Sequence, residues 1–291
     1  MTDLSPHLQD KLLRLKSWFS KRKGSIVAFS GGIDSTLVLF LARRFQGREN
    51  AIGVISNSES LKTKDFELAK NFCKEFDICL EVIKTEELSD ERYHSNPENR
   101  CYFCKEHLFH DLQDIKQKYE GFEVLSGTNF NDLGDYRPGL QAAAQYKVLA
   151  PMADCQLSKE EIRQLAHYFE LPNWDKPASP CLSSRIPYNH TITLEKLRQI
   201  EEAENILNDM GFRDVRVRHY GTYGQVEVPG NELSKLFSME DSVISKIKAT
   251  GFKEVRIDRE GLVSGKLNRG LRGRTETGDR RQENGERRRE N

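Results

Sequence analysis

Between residues 8 and 170, short apolar runs alternate with amphipathic segments, and this alternation restricts the fold more than any other feature of the chain. The runs at 25–29, 51–55, 78–84, 122–126 and 147–149 read as strands. After a first helix at 8–21, the stretches at 36–44, 64–76, 103–119 and about 140–146 read as helices, and Ser158-x-x-Glu161 forms a capping box that opens one more. Strands joined by helices pair in parallel, so the expected class is α/β: an open parallel sheet with helices on both faces. Ligands of such sheets bind beyond the carboxyl ends of the strands, beside the point where strand order reverses.

At the first strand–helix junction stands Ser30-Gly31-Gly32-Ile33-Asp34-Ser35. Paired glycines let the backbone turn tightly and bring N–H groups to an anion, and Ser30, Ser35 and the helix N-terminus add hydroxyls and a positive dipole end. The G-x-x-x-x-G-K-[ST] pattern is missing, so no lysine stands over β and γ phosphates and a different cleavage is expected. The competing reading is a Gly-Gly turn with a Ser or Asp helix cap. A second polar cluster, residues 127–139, follows the strand at 122–126 and therefore shares the carboxyl edge with the first. Its Asp132, Asp135 and Arg137 suit a metal–phosphate unit, against the alternative of a solvated Asx-turn.

The chain has 291 residues, enough for about two domains. Its 45 Lys and Arg balance 45 Asp and Glu, which argues against a protein that coats nucleic acid. No apolar run reaches the length of a membrane helix and the first twenty residues are amphipathic, so a cytoplasmic protein is expected. Residues 171–188 hold four of the nine prolines and read as a linker or active-site loop. The expected domains are 1–186, carrying the phosphate loop, and 187–266, a small α+β domain for substrate or oligomerisation. In the latter, a helix at 194–209 runs into GFRDVR and a later helix into GFKEVR, a weak repeat with a 40-residue offset. In Val215-Arg216-Val217-Arg218, strand alternation sets both arginines on one face. Residues 267–291 carry eight arginines, five acids and almost nothing apolar, a composition expected to be disordered. Removing this tail leaves a slightly acidic body.

Six cysteines are far too few for a disulfide scaffold. Cys73 and Cys79 read as buried structural thiols, and Cys155 is ambiguous. Cys101 and Cys104 form C-x-x-C between Arg100 and Lys105, whose charges favour thiolates. Cys181 lies in the proline-rich loop. These residues fit a redox pair, a zinc site completed by His107 and Cys181, two plain helix cysteines, or a three-thiolate iron–sulfur cluster with one open iron.

SGGIDS is similar to the SGGxDS signature of the PP-loop ATP pyrophosphatases, whose fold is that of the adenine nucleotide alpha hydrolases. That resemblance implies ATP cleaved between α and β phosphates, pyrophosphate held by Ser30, Gly31, Gly32 and Ser35, and Asp34 orienting Mg²⁺ or the phosphates. SGGIDS, NPENRCYFCK, GTNFNDLGDYRPG, WDKPASPCLSSRIPY and VRVRHYG occur in that order, and together they resemble the LarE family over about residues 12–266. This second resemblance implies an ATP-dependent sulfur transferase. Its substrate is pyridinium-3,5-biscarboxylic acid mononucleotide, whose carboxylates are adenylated and converted to thiocarboxylates for the nickel-pincer cofactor of lactate racemase. It also implies Ser184, Arg185, Arg216 and Arg218 around substrate or phosphate. Glu204 and Glu227 become metal or substrate contacts. Cys101, Cys104 and Cys181 match the branch whose 4Fe-4S cluster carries a sulfide; in the other branch Cys181 gives up its own sulfur. A homo-oligomer and a sulfur-donor protein are the implied partners. Two rivals stand beside this reading: a PP-loop tRNA thiolase, and a zinc-binding protein with a degenerate nucleotide site, against which the intact SGGIDS with Asp34 stands.

Overall fold

The computed structural model describes residues 4–134, 137–177, 179–263 and 265–269. Asp135 and nearly all of the arginine-rich tail lie outside the described residues. The chain divides into two compact units, one of Met1–Ser184 with Thr191–Leu197, the other of Arg185–His190 with Arg198–Asn291.

The first unit is built on strands β1 (Gly24–Ala28), β2 (Ala51–Ser56), β3 (Cys79–Ile83) and β4 (Phe122–Leu125). Its helices are α1 (Pro6–Ser20), α2 (Ile33–Gln46), α3 (Thr63–Glu75), α4 (Glu91–His94), α5 (Arg100–Lys116), α6 (Pro138–Gln145), α7 (Pro151–Asp154) and α8 (Lys159–Tyr168). The four strands are parallel in the order β3-β2-β1-β4, with Ile26 beside Ile52 on one side and Val124 on the other. Alternate residues of each strand enter different cores. Ile26, Ala28, Ile52, Val54 and Val124 pack with Phe109 and Leu112 of α5, whereas Val27, Ile55 and Leu125 pack with residues of α1, α2, α3 and α8. The sheet is therefore covered on both faces, as all-parallel sheets require. Strand order reverses between β1 and β4, so the loops after these two strands flank the switch point.

Some local expectations change. Residues 147–149 do not form a strand: Leu149 makes one parallel bridge with Leu125, because three residues give too little backbone to extend the ladder. Helix α5 begins at Arg100 rather than Phe103. Arg100 is buried, and its guanidinium donates to Asn96 Oδ1 (2.6 Å) and the Ser183 carbonyl (2.8 Å), which anchors the first turn. Cys73 is buried and its thiol is pushed up to about 12, chiefly by that burial, but Cys79 is exposed because β3 is an edge strand. Trp174 is 41 % exposed and meets the His167 ring edge-on at 4.4 Å instead of plugging the loop beneath it. The capping box is formed, with Ser158 N–H donating to Glu161 Oε2 at 2.8 Å and Glu161 N–H to Ser158 Oγ at 3.3 Å.

The second unit contains most of α9 (Leu194–Asp209), strands β5 (Arg216–His219), β6 (Tyr223–Glu227) and β7 (Glu254–Ile257), and helices α10 (Leu233–Ser238) and α11 (Glu240–Lys248). β6 is central, antiparallel to β5 and parallel to β7. The two GF-containing segments lead into β5 and β7, and Phe212 and Phe252 are buried in one core with Val217, Val226 and Ile247. Among the described residues, no helix is long and apolar enough to cross a membrane.

Candidate active site

The loop after β1 is closed on itself by short-range bonds. Ser35 Oγ donates to the Gly32 carbonyl at 3.0 Å and lies 3.1 Å from Ser30 Oγ, and the Ser30 and Gly32 N–H groups donate to Ser35 Oγ (3.2 Å) and Ser30 Oγ (3.4 Å). Gly31 has φ +70°, where a side chain is strained, and a Cβ there would stand 3.2 Å from the Asp65 carbonyl oxygen of α3. Hydroxyls and backbone donors are thus gathered where α2 presents its N-terminus, the arrangement that receives a phosphate.

The loop after β4 approaches closely. A Cβ on Gly127 would lie 2.7 Å from the Ser35 nitrogen, so only glycine lets this strand end against the start of α2. Two residues later Asn129 donates from Nδ2 to Asp34 Oδ1 at 3.0 Å. Burial pushes the Asp34 carboxyl up, the Asn129 bond opposes this, and the Asp132 charge adds to it. Asp132 is buried and is bridged to Arg137 (2.9 Å) and Lys159 (3.1 Å). Asp34 therefore faces a second carboxylate that already carries two cations. Asn131 Oδ1 accepts the Lys159 N–H at 2.9 Å, next to the N-cap of α8.

The loops after β2 and β3 hold a buried polar cage. Glu87, 2 % exposed, accepts hydroxyl donors from Ser60 (2.8 Å) and Thr85 (2.7 Å), and Ser60 also lies 3.0 Å from Ser58 Oγ. The Ser60 carbonyl takes the Leu182 N–H at 2.8 Å, which pins the residue after Cys181. Tyr93 Oη lies 2.7 Å from Ser183 Oγ. Around this cage come Cys101 and Cys104, from the first turns of α5, and Cys181. Cys101 retains an exposed face, although the surrounding protein pushes its thiol up; Arg100 counteracts that push and the Cys181 charge adds to it. The Cys104 thiol is held well above its ordinary range by burial, then by Glu87, with Cys181 and Cys101 contributing. The three thiols are therefore electrostatic neighbours, although among the described residues no three Cys, His, Asp or Glu side chains stand close enough to hold a metal ion as they are. His107 is engaged by Asp90 at 2.8 Å.

In the second unit, Arg185 is fully buried and pairs with Glu204 through Nε (2.8 Å) and a terminal nitrogen (3.1 Å), while Glu204 Oε1 also accepts the Val217 N–H at 3.1 Å. Arg218 bonds Glu227 at 3.0 Å, and Arg216 bonds Asp214 at 2.7 Å. The Arg216 guanidinium is held below its ordinary range by burial and then by the Arg185 charge, so these two cations are neighbours. Both β5 arginines are 8 % exposed and do not form a solvent-exposed strand face. Glu204→Ala would leave the Arg185 guanidinium buried without this carboxylate. The expected cost is about 3–5 kcal/mol of stability, read from the denaturant midpoint of the full chain.

A family model described as NAD synthase matches residues 9–105. A protein of Synechocystis, itself uncharacterised, is 40 % identical over 268 residues, which span 91 % of this chain and 99 % of that one. The pyridinium-3,5-bisthiocarboxylic acid mononucleotide synthase of Lactiplantibacillus plantarum is 35 % identical over 242 residues, 83 % of this chain and 88 % of the synthase. This chain belongs to the LarE family. GMP synthases of Thermotoga are 23 % identical over 220 residues, 68 % of this chain but only 43 % of theirs. The LarE-family chain is an ATP-dependent enzyme of the PP-loop class.

Within the first unit the structure brings Ser30, Gly31, Gly32, Asp34, Ser35 and Asp132 together at the carboxyl edge, with Arg137 attached through Asp132. It gathers Cys101, Cys104 and Cys181 around Glu87 and Tyr93. Ser184 is half-buried, and its N–H donates to the Cys181 carbonyl at 3.0 Å. Arg185, Glu204, Arg216, Arg218 and Glu227 belong to the second unit. Sequence reasoning missed Glu87, Ser60 and Tyr93; it gave Asn129 no role of its own within the polar cluster, and read Arg100 only as a charge beside Cys101. Asn129 carried a signal, because it follows the β4 strand within the polar cluster; a lone Glu or Tyr in a loop carries none.

Proposed function

We propose that this chain uses ATP to activate the carboxylates of pyridinium-3,5-biscarboxylic acid mononucleotide and converts them to thiocarboxylates, the product class in the name of its Lactiplantibacillus relative. The observation that carries this reading is that three thiols from two distant segments lie within reach of one another's charge in the unit whose sheet edge bears the phosphate loop. A carboxylate is a poor electrophile. Attack of its oxygen on the α-phosphorus forms a mixed anhydride with AMP and releases pyrophosphate; attack of a sulfur nucleophile on the carbonyl then expels AMP. Ser30, Gly32, Ser35 and the α2 N-terminus would stabilise the departing pyrophosphate, with Mg²⁺ beside Asp34. Asp132 and Arg137 would border the nucleotide. Arg216 and Arg218 would receive the anionic substrate, with Glu227 orienting Arg218. Arg185 is fully buried against Glu204, so that pair would brace β5 rather than touch substrate, and Ser184 would face substrate beside Cys181.

Cys101, Cys104 and Cys181 have the donor chemistry of a 4Fe-4S cluster, with Arg100 and Lys105 favouring the thiolate at Cys101, but they are not close enough as they stand to hold a metal, so loading would have to draw them together. When bound, such a cluster supplies an open iron able to carry an additional sulfide. Cys181 itself acts as the catalytic thiol in the alternative, sacrificial form of the reaction. Assembly into a homo-oligomer and reloading by a sulfur-donor protein belong to the same reading. The deciding experiment is mass spectrometry of the dicarboxylate mononucleotide after incubation with ATP, Mg²⁺ and reconstituted protein. Replacement of carboxylate oxygen by sulfur is expected; an unchanged mononucleotide together with thiolated tRNA overturns the reading in favour of the thiolase.

A further inference from the structure

A peptide plane between two glycines is easily turned over, because neither residue has a Cβ to restrict it. In one orientation the Gly31–Gly32 peptide aims its N–H at the Ser30 hydroxyl, on the side where an anion would sit. In the other it presents a carbonyl oxygen, which repels phosphate. The glycines that make the loop tight therefore leave its binding orientation undetermined.

We propose that Asn173, in the proline-rich loop, is the positioning residue that selects the orientation competent for phosphate. Its Nδ2 donates to the Gly31 carbonyl at 3.1 Å and to Thr36 Oγ1, in the first turn of α2, at 2.9 Å. Carbonyl and N–H of a trans peptide point in opposite directions, so gripping the Gly31 oxygen aims the Gly32 N–H at Ser30 Oγ, to which it donates at 3.4 Å. The amide's direction is dictated, since a carbonyl oxygen only accepts. It leaves Asn173 Oδ1 buried without a partner among the described residues, a cost the fold carries to keep the grip. On the other flank Gly31 lies against α3, where a Cβ would meet Ala69 Cβ at 3.3 Å. The same loop is pinned to α3 through Asp65, which accepts from Lys176 (2.9 Å) and Ser179 (2.8 Å), and it carries Cys181. The segment that delivers the sulfur-site cysteine thus also sets the phosphate loop.

This inference rests on the loop binding ATP, and the test separates the two. Binding of Mg²⁺ with α,β-methylene ATP to the full-length, iron-free chain is measured by calorimetry for wild type, Asn173→Ala, Asn173→Asp and Thr36→Val. Wild-type binding is the expected baseline; its absence overturns the ATP reading and this proposal with it. Asn173→Ala is expected to weaken binding by about tenfold, the size of losing one or two neutral hydrogen bonds. Asn173→Asp, which fills the same space without a donor, should weaken it at least as much, and Thr36→Val, which spares the Gly31 bond, by less than about threefold. In turnover, KM for ATP should rise in Asn173→Ala while KM for the mononucleotide stays. Folded Asn173→Ala or Asn173→Asp protein that binds within twofold of wild type overturns the proposal, and so does loss in the alanine variant alone, which is the signature of mere space-filling.

Discussion

Cys101→Ala, Cys104→Ala and Cys181→Ala are each expected to abolish the chromophore formed by anaerobic reconstitution with iron and sulfide, and repeated turnover with it. Three thiols of one unit lie within reach of each other's charge, and burial drives the Cys101 and Cys104 thiols up. Such thiols are poor thiolates until a metal takes the proton's place, so metal binding and deprotonation are one event. With one ligand gone, the two remaining thiolates hold no stable site, and the effect is all or none rather than graded. The control is the mass of Cys181 after one turnover without iron. Loss of about 34 Da, one H₂S, marks conversion to dehydroalanine and assigns the sulfur to Cys181 itself. Repeated turnover without iron removes the cluster from the mechanism.

Asp34→Ala should stop substrate-dependent pyrophosphate release, and Asp34→Asn should lower it by about 10²–10³, the usual effect of deleting one preorganised electrostatic group. Asp34 opens α2 and is half-buried. Its carboxyl is raised by burial and by the charge of Asp132, while the Asn129 bond, the Lys159 charge and a backbone hydrogen bond favour its ionised form. A carboxylate kept in such a setting is suited to a cation that arrives with the nucleotide, since Mg²⁺ would relieve the repulsion that Asp132 imposes. The asparagine variant preserves shape and removes charge. Pyrophosphate release at the wild-type rate in either variant would take Asp34 out of the reaction and leave it a helix-start residue.

Local signals carried much of the first unit. Capping chemistry at Ser158 and Glu161 and the Gly-Gly turn after β1 involve residues within a few positions of one another, and the alternation of strands and helices is itself a local pattern. Edges were harder. Residues 147–149 had strand composition but too little length, and Cys79 had an apolar setting but an edge strand, whose exposure depends on which strand is outermost. The start of α5 moved to Arg100 because that guanidinium is anchored by Ser183, a partner 83 residues away in sequence.

What the sequence determined by itself was the α/β class, the phosphate loop and the residue types able to do acyl activation and sulfur chemistry. Each is written in periodicity or in a contiguous motif. Only the tertiary structure decided that the three cysteines grouped by the family resemblance gather around Glu87, that Asp34 confronts Asp132, that Arg185 and Glu204 bury each other, and that Asn173 grips Gly31. Those relations join segments tens to more than a hundred residues apart, and they depend on where loops at the sheet's carboxyl edge, or residues around β5, are brought by packing, which local sequence patterns do not encode.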